Sequence, residues 1–426
     1  MDAPPKPTLF RDLSFWGLVA TQFFGAFNDN VFKQLMLLLA VQVNSSLDQQ
    51  GLATVIFSLP FILFSGFAGY LSDRFSKPWI ITLCKIAEIG IMALGMLAFL
   101  RYSQTGYNGL LVVLFLMGTH SAFFGPGKYG ILPELFREED LPRANGLILM
   151  TTFLAIIFGT ALAGVLGDAL VGENNDPSRM WLGSLVCMGI AAVGTCTSLF
   201  IRKLPPVNAG LKFHVDTLAI PRETLQLLRL DKALLTSLLV SCLFWLVSGI
   251  AMQAVNSLGL VQLDLNKAFT SYLAATIGLG IAVGAVLAGK LCAGKADVRI
   301  INFGGWGMVA ALTALAVYFP GGNHALGFGG AIPVLAVLGC CAGMFAVPVQ
   351  VFLQTRPPAN QKGRMIATMN FANFIAILLS GVIYGGMDRV VTHFALPRCV
   401  IFAMIAALLL PVLLVKLPWD AKLPGK

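Results

Sequence analysis

A carboxylate, an ammonium and two carboxamides fall within one short stretch, Phe27-Asn28-Asp29-Asn30-Val31-Phe32-Lys33, inside an apolar run from about residue 15 to residue 43. Asp29 and Lys33 lie four residues apart, so on a helix they share a face and can pair. Asn28 and Asn30 stand about 100° to either side of Asp29, so the three cannot all point inward. One of the two asparagines is expected to bond a neighbouring helix. As a helix the run is roughly 43 Å long, against a hydrocarbon core of about 30 Å, and Asp29 is its midpoint. An ionised carboxylate at that depth is costly, and such groups face a bundle interior or a water-filled path. The chemistry open to the pair is the grip of a zwitterion, with a phosphate on Lys33 and an amine on Asp29. The plain alternative is a self-neutralised pair that only lowers the cost of insertion.

Other polar groups in apolar runs divide between site and scaffold. Lys85 and Glu88, three apart, read as a structural ion pair. His120 reads as a hydrogen-bonded interior residue rather than a proton carrier. Lys128 follows Pro126 at the end of an apolar run, where a lysine can snorkel to the interface. Gly159, Ala163 and Gly167 recur every four residues and end beside Asp168, a stripe that lets helices approach closely. Gly278, Gly280 and Gly284 lie inside an apolar run with no preceding strand, so they predict helix packing and not a dinucleotide loop. The eight cysteines show no CxxC and no metal-ligand spacing, and read as small apolar packing residues. The 31 Phe and 15 Met suit an acyl-chain cavity and a lipid-facing surface equally.

The elements that position these groups follow from composition. Of 426 residues 57% are hydrophobic and 12% charged, against roughly 25% charged in a soluble domain. Continuous rather than alternating apolar runs exclude a β-barrel and predict a polytopic α-helical membrane protein. Twelve spans are expected, near 15–43, 51–71, 79–100, 109–126, 145–171, 180–201, 234–258, 268–290, 300–319, 331–353, 365–387 and 398–415. The longest polar interval, 202–232, divides them six and six: an N-terminal half over 1–201, a central loop over 202–232 and a C-terminal half over 233–426. The polar, Pro-rich start predicts no cleavable leader, so the first helix stays as an anchor. With the N-terminus cytoplasmic, 22 basic residues fall on the cytoplasmic side and five on the other. Both termini and the central loop are therefore expected inside. The net charge of +9 is mostly this topology signal, with some attraction to anionic membrane lipids. It is not a nucleic-acid surface.

Between the second and third spans stands Gly69-Tyr70-Leu71-Ser72-Asp73-Arg74-Phe75-Ser76-Lys77. It resembles the GxLxDRxGRK signature of the major facilitator superfamily, with Ser76 where glycine is usual. A short loop with acid and base side by side can cap a neighbouring helix and pair across two halves, a latch that breaks when the state changes. Gly69, Asp73 and Arg74 are its expected members. The matching place in the second half keeps Gly289-Lys290 but has no aspartate, so the latch is expected on one side only. Phe124-Gly125-Pro126-Gly127-Lys128-Tyr129-Gly130-Ile131-Leu132-Pro133-Glu134, Arg143-Ala144-Asn145-Gly146-Leu147 and Ala26-Phe27-Asn28-Asp29-Asn30 together resemble the bacterial lysophospholipid transporter branch of that superfamily.

The resemblance covers essentially the whole chain. It implies a twelve-helix major facilitator fold in the bacterial inner membrane. It also implies a flippase that carries lysophospholipids such as lyso-phosphatidylethanolamine from the outer to the inner leaflet by alternating access. An acyltransferase and acyl-carrier-protein synthetase then reacylate the product. In some members these activities are fused, and the FNDNxFK form resembles the fused type. None of the four histidines begins an HxxxxD acyltransferase motif, so a transporter rather than an enzyme is expected, working as a monomer without cofactor or metal. The resemblance favours a gate or phosphate contact for Lys128. Relatives can carry a basic residue on span seven, where this chain reads Ile250-Ala251-Met252-Gln253, so a headgroup contact there falls to Gln253 or Asn256. The expected substrate residues are thus Asp29, Asn30, Lys33, Lys128, Gln253 and Asn256. A proton-coupled exporter of drugs or metabolites on the same fold is the main rival. A membrane scaffold for the reacylating enzymes is another, but it would need no charge at the midplane.

Overall fold

The computed structural model describes residues 8–44, 48–171, 179–212, 222–265, 267–292 and 296–414. Besides short 3-10 and π turns, the described residues form fourteen α-helices: α1 Leu13–Asn44, α2 Asp48–Arg74, α3 Lys77–Leu100, α4 Tyr102–Gly130, α5 Leu132–Leu135, α6 Leu141–Val171 and α7 Trp181–Ser198. After them come α8 Arg222–Leu230, α9 Lys232–Ser257, α10 Lys267–Leu291, α11 Val298–Leu315, α12 Gly327–Thr355, α13 Lys362–His393 and α14 Val400–Leu414. Ten helices among the described residues are long and apolar enough to cross a membrane. Two further expected spans are also helices. α1 has 32 residues, but Asn28-Asp29-Asn30 and Lys33-Gln34 dilute its apolar character. α14 runs for 15 described residues.

Helix ends follow ordinary rules. Asp231 caps α9 by accepting from the amides of Ala233 and Leu234 at 3.1 and 3.2 Å, and Asp297 caps α11 through Arg299 N at 2.8 Å. The predicted break near 320–330 is a tight turn with Gly321, Gly322 and Gly327 at positive φ, conformations that side chains with a Cβ avoid. Two expectations change. The central interval is not all loop, because α8 forms within it. And α4 runs through Pro126 to Gly130, so Lys128 lies in the last turn of a helix instead of beyond it.

The chain forms two compact units. One comprises Met1–Arg137, Leu154–Thr224 and Pro357–Phe371; the other comprises Glu138–Phe153, Leu225–Arg356 and Ala372–Lys426. In the first unit α1, α3, α4, α6 and α7 close around Phe32, Leu35, Met92, Leu114, Met117, Ala163 and Cys187. Phe32 meets Phe99 edge-on at 5.9 Å. Gly159 lies against α1, where an added Cβ would stand 2.7 Å from Phe27 O and 3.1 Å from Asn30 Cβ. The predicted small-residue stripe on α6 therefore does bring two backbones together. Asp168 at its end has a side chain outside the described residues. In the second unit α10 packs along α12, with an added Cβ on Gly280 only 3.0 Å from Gly339 Cα. This is the helix packing expected of Gly278 to Gly284. All eight cysteines are free thiols.

Candidate functional site

The apolar environment of the first unit holds one continuous polar network, built from three helices. Glu88 on α3 is its hub and is fully buried. Its Oε1 accepts from Asn28 Nδ2 of α1 at 2.6 Å. Its Oε2 accepts from the ammonium of Lys85 one turn earlier on α3, and His120 Nε2 of α4 stands 3.4 Å from the same oxygen. Lys85 reaches this place because glycines make room for it. A Cβ on Gly194 of α7 would fall 2.8 Å from Lys85 Cε, and one on Gly25 of α1 would fall 3.0 Å from its Nζ. A charge with no water around it survives only when paired and hydrogen-bonded, and Glu88 supplies both. The expected Lys85–Glu88 pair and the expected Asn28 bond to a neighbouring helix are therefore parts of one structure.

Asp29 lies beside this hub. One carboxylate oxygen accepts from Ser121 Oγ of α4 at 2.8 Å; the other is buried and has no hydrogen-bond partner. His120 Nδ1 and Asn28 Oδ1 are likewise buried without partners. Ligating atoms of Asp29, Glu88 and His120 come within 4.8 Å of one another, a spacing a metal ion can use. The Lys85 ammonium already serves Glu88 as its cation.

Asp29 and Lys33 form no ion pair with each other among the described residues. Lys33 is half-buried, with Nζ 5.4 Å from the centre of the Phe57 ring on α2, a cation–π contact. Spacing permitted the pair, but neighbouring helices offered each residue another partner. Asn30 turns its amide back to Ala26 O at 2.7 Å, on its own helix. Lys128 donates to Gln22 Oε1 at 3.2 Å. Gln22 and Asp29 are seven apart on α1, as are Ser121 and Lys128 on α4, so these contacts form two rungs between the helices, roughly 10.5 Å apart. In the second unit Gln253 is half-buried and donates to Gly249 O at 3.2 Å, and Asn256 is exposed one turn further along α9.

The latch motif also has a definite geometry. Asp73 is fully buried. Its Oδ1 accepts from Gly363 N at 2.9 Å and its Oδ2 from both Arg364 N and Arg364 Nε at 3.3 Å. The carboxylate thus caps the start of α13, where amides lack intrahelical acceptors and the helix dipole is positive. Gly69 permits the approach, since a Cβ there would lie 2.6 Å from Ala367 Cβ. Arg364 Nη1 continues to Glu223 Oε2 at 3.0 Å. Arg74 takes no part in this contact: it donates to the Tyr70 hydroxyl on its own helix. The basic partner of Asp73 is Arg364, which the loop motif alone did not identify. In the second unit Gly289 approaches α6 in the same manner, a Cβ there lying 2.8 Å from Pro142 O. Arg143 beside that contact is exposed.

A signature glycine and aspartate that clamp one long apolar helix to the start of another belong to a known group of proteins. Residues 18–381 match the Major Facilitator Superfamily. The chain belongs to that superfamily. Its likeness to solved structures shows the same fold. It superposes on the transporter FucP in the outward conformation with a TM-score of 0.72 at 15% identity, covering 94% of this chain and 97% of that one. For a bacterial homologue of the iron transporter ferroportin the TM-score is 0.71 at 14% identity, covering 96% and 100%. Among curated relatives, the lysophospholipid transporter LplT of Citrobacter koseri is 30% identical over 390 residues, or 88% of this chain and 89% of the relative. That of Yersinia enterocolitica is 28% identical over 381 residues, covering 88% and 86%. This member of the superfamily is a multi-pass membrane protein of transporter type, as its helices and relatives require.

Proposed function

We propose that this chain is a lysophospholipid transporter of the bacterial inner membrane. It moves lipids such as lyso-phosphatidylethanolamine from the outer to the inner leaflet by alternating access between two six-helix halves, 1–201 and 233–426, joined by 202–232. Both termini and the joining segment face the cytoplasm, where an acyltransferase and acyl-carrier-protein synthetase receive the product.

Similarity to transporters of that name along nearly nine-tenths of the chain supports the substrate class. The geometric observation that carries the site assignment is the separation of Asp29 from Lys33. Asp29 keeps one buried carboxylate oxygen without a partner, and Lys33 rests against a ring one turn away. Two opposite charges on one helix face, not spent on each other, match a zwitterionic headgroup. The amine takes the open oxygen of Asp29, and the phosphate draws Lys33 off Phe57. Lys128, two turns along α4 from Ser121, serves the phosphate at another stage, and Asn30, Gln253 and Asn256 supply neutral contacts. The Asp73–Arg364 clamp holds α2 to α13 in one conformational state and opens in the other.

One observation favours the rival exporter reading: His120, with an unpartnered Nδ1 between two carboxylates, could carry a proton. The two readings part in one assay. Spheroplasts with no lysophospholipid transport of their own, expressing this chain, should accumulate labelled lyso-phosphatidylethanolamine well above spheroplasts without it. Uptake equal to that of cells lacking the chain contradicts the proposal.

A further inference from the structure

The second unit forms a partly open cavity of about 230 Å³ that no residue of the polar network lines. It is lined by fifteen residues from α6, α9, α10, α11, α12 and α13, and none of them is ionisable. Phe244, Trp245 and Met252 on α9 face Ile281 on α10 and Leu338 and Ala342 on α12 across it. Along α9 the lining runs from Phe244 to Met252, roughly 12 Å of helix. Contacts beside it hold its walls: Ser241 Oγ lies 3.0 Å from Asn373 Oδ1, and Phe244 stacks on Phe345 at 6.0 Å. Ser248 brings the one hydroxyl among the fifteen, so the walls offer an ion no charge and a sugar little to bond.

We infer that this cavity receives the acyl chain of the transported lysophospholipid. The inference rests on the lysophospholipid reading and assigns the apolar half of that substrate. The volume admits at least roughly eight methylene-sized groups at about 30 Å³ each. Its role is not to attract the chain, because a bilayer is as apolar as a leucine-lined wall and transfer between them is nearly neutral. Its role is to keep the chain out of water while the headgroup crosses. Each methylene exposed on a polar path instead would cost about fourfold in occupancy, a penalty that multiplies along the chain.

Trp245 makes the pocket observable. In a variant that keeps Trp245 and carries phenylalanine at the other five tryptophans, lyso-phosphatidylethanolamine brominated on its palmitoyl chain should quench the fluorescence saturably. Excess unbrominated lipid should restore it. In the second arm, Ala342→Phe narrows the cavity, so uptake of the octanoyl lipid, whose chain fills it, should fall tenfold or more while uptake of the butanoyl lipid persists. Two methylenes displaced at about fourfold each account for that size of effect. Transport of lysophospholipid without saturable quenching overturns the pocket and leaves the substrate reading standing, as does an equal loss of both chain lengths in Ala342→Phe. Failure of the unaltered chain to move a lysophospholipid of any of these lengths overturns the substrate reading itself.

Discussion

Glu88 shows how a buried charge can be structural even when it touches a site. It is fully buried and satisfies Lys85 and Asn28 at once, so removing its charge strands an ammonium in an apolar environment. Breaking a buried pair by removing one partner costs about 3–5 kcal/mol. Glu88→Gln should therefore lower the thermal unfolding midpoint of the purified protein sharply, and Glu88→Met with Lys85→Met should recover most of it. An unchanged midpoint together with lost uptake would move Glu88 from scaffold to substrate site. Little of this network is legible in the chain, because Asn28, Glu88 and His120 lie on different helices and only folding brings them together. The i, i+4 spacing of Asp29 and Lys33 was legible but did not decide their partners. Ser121 and Phe57 on neighbouring helices did.

At the scale of the helix, the informative element is the junction of α2 with the start of α13. Asp73 accepts three hydrogen bonds there, two from free backbone amides and one from a guanidinium. Asp73→Asn keeps the shape but loses the charge, at roughly 1.5–3 kcal/mol for a charge-assisted contact. Held in two states, the pair should shift about tenfold to a hundredfold toward the state in which α2 and α13 separate. Cross-linking between cysteines placed at these two helix ends, in a cysteine-free background, should fall accordingly. Unchanged cross-linking with unchanged transport would make Asp73 an ordinary turn residue. The sequence shows Gly69 and Asp73 because the motif is local. It does not show Arg364, nearly three hundred residues away. It also hides α8, nine residues long within a polar interval, where a few turns of periodicity carry little signal.

For the molecule as a whole, the helical spans were the most legible feature. A bilayer core accepts only chain that satisfies its own backbone, so long apolar runs had to become helices. Orientation rests on the bias of 22 basic residues to five. Single cysteines placed in 202–212 of a cysteine-free protein should resist an impermeant maleimide in intact cells and react once the membrane is opened. Labelling from outside would invert the topology.

The central claim is that Asp29 and Lys33 hold the two charges of a lysophospholipid headgroup, and uptake of labelled lyso-phosphatidylethanolamine per mole of protein tests it most directly. Asp29→Asn and Lys33→Ala should each lower substrate affinity about tenfold to a hundredfold, the worth of one charge-assisted contact, at normal abundance. Asp29→Asn combined with Lys33→Gln, neutral and of similar shape, should stay abundant and transport no better than either single variant. Full transport by that double variant would show that the two charges only balance each other, and would contradict the assignment.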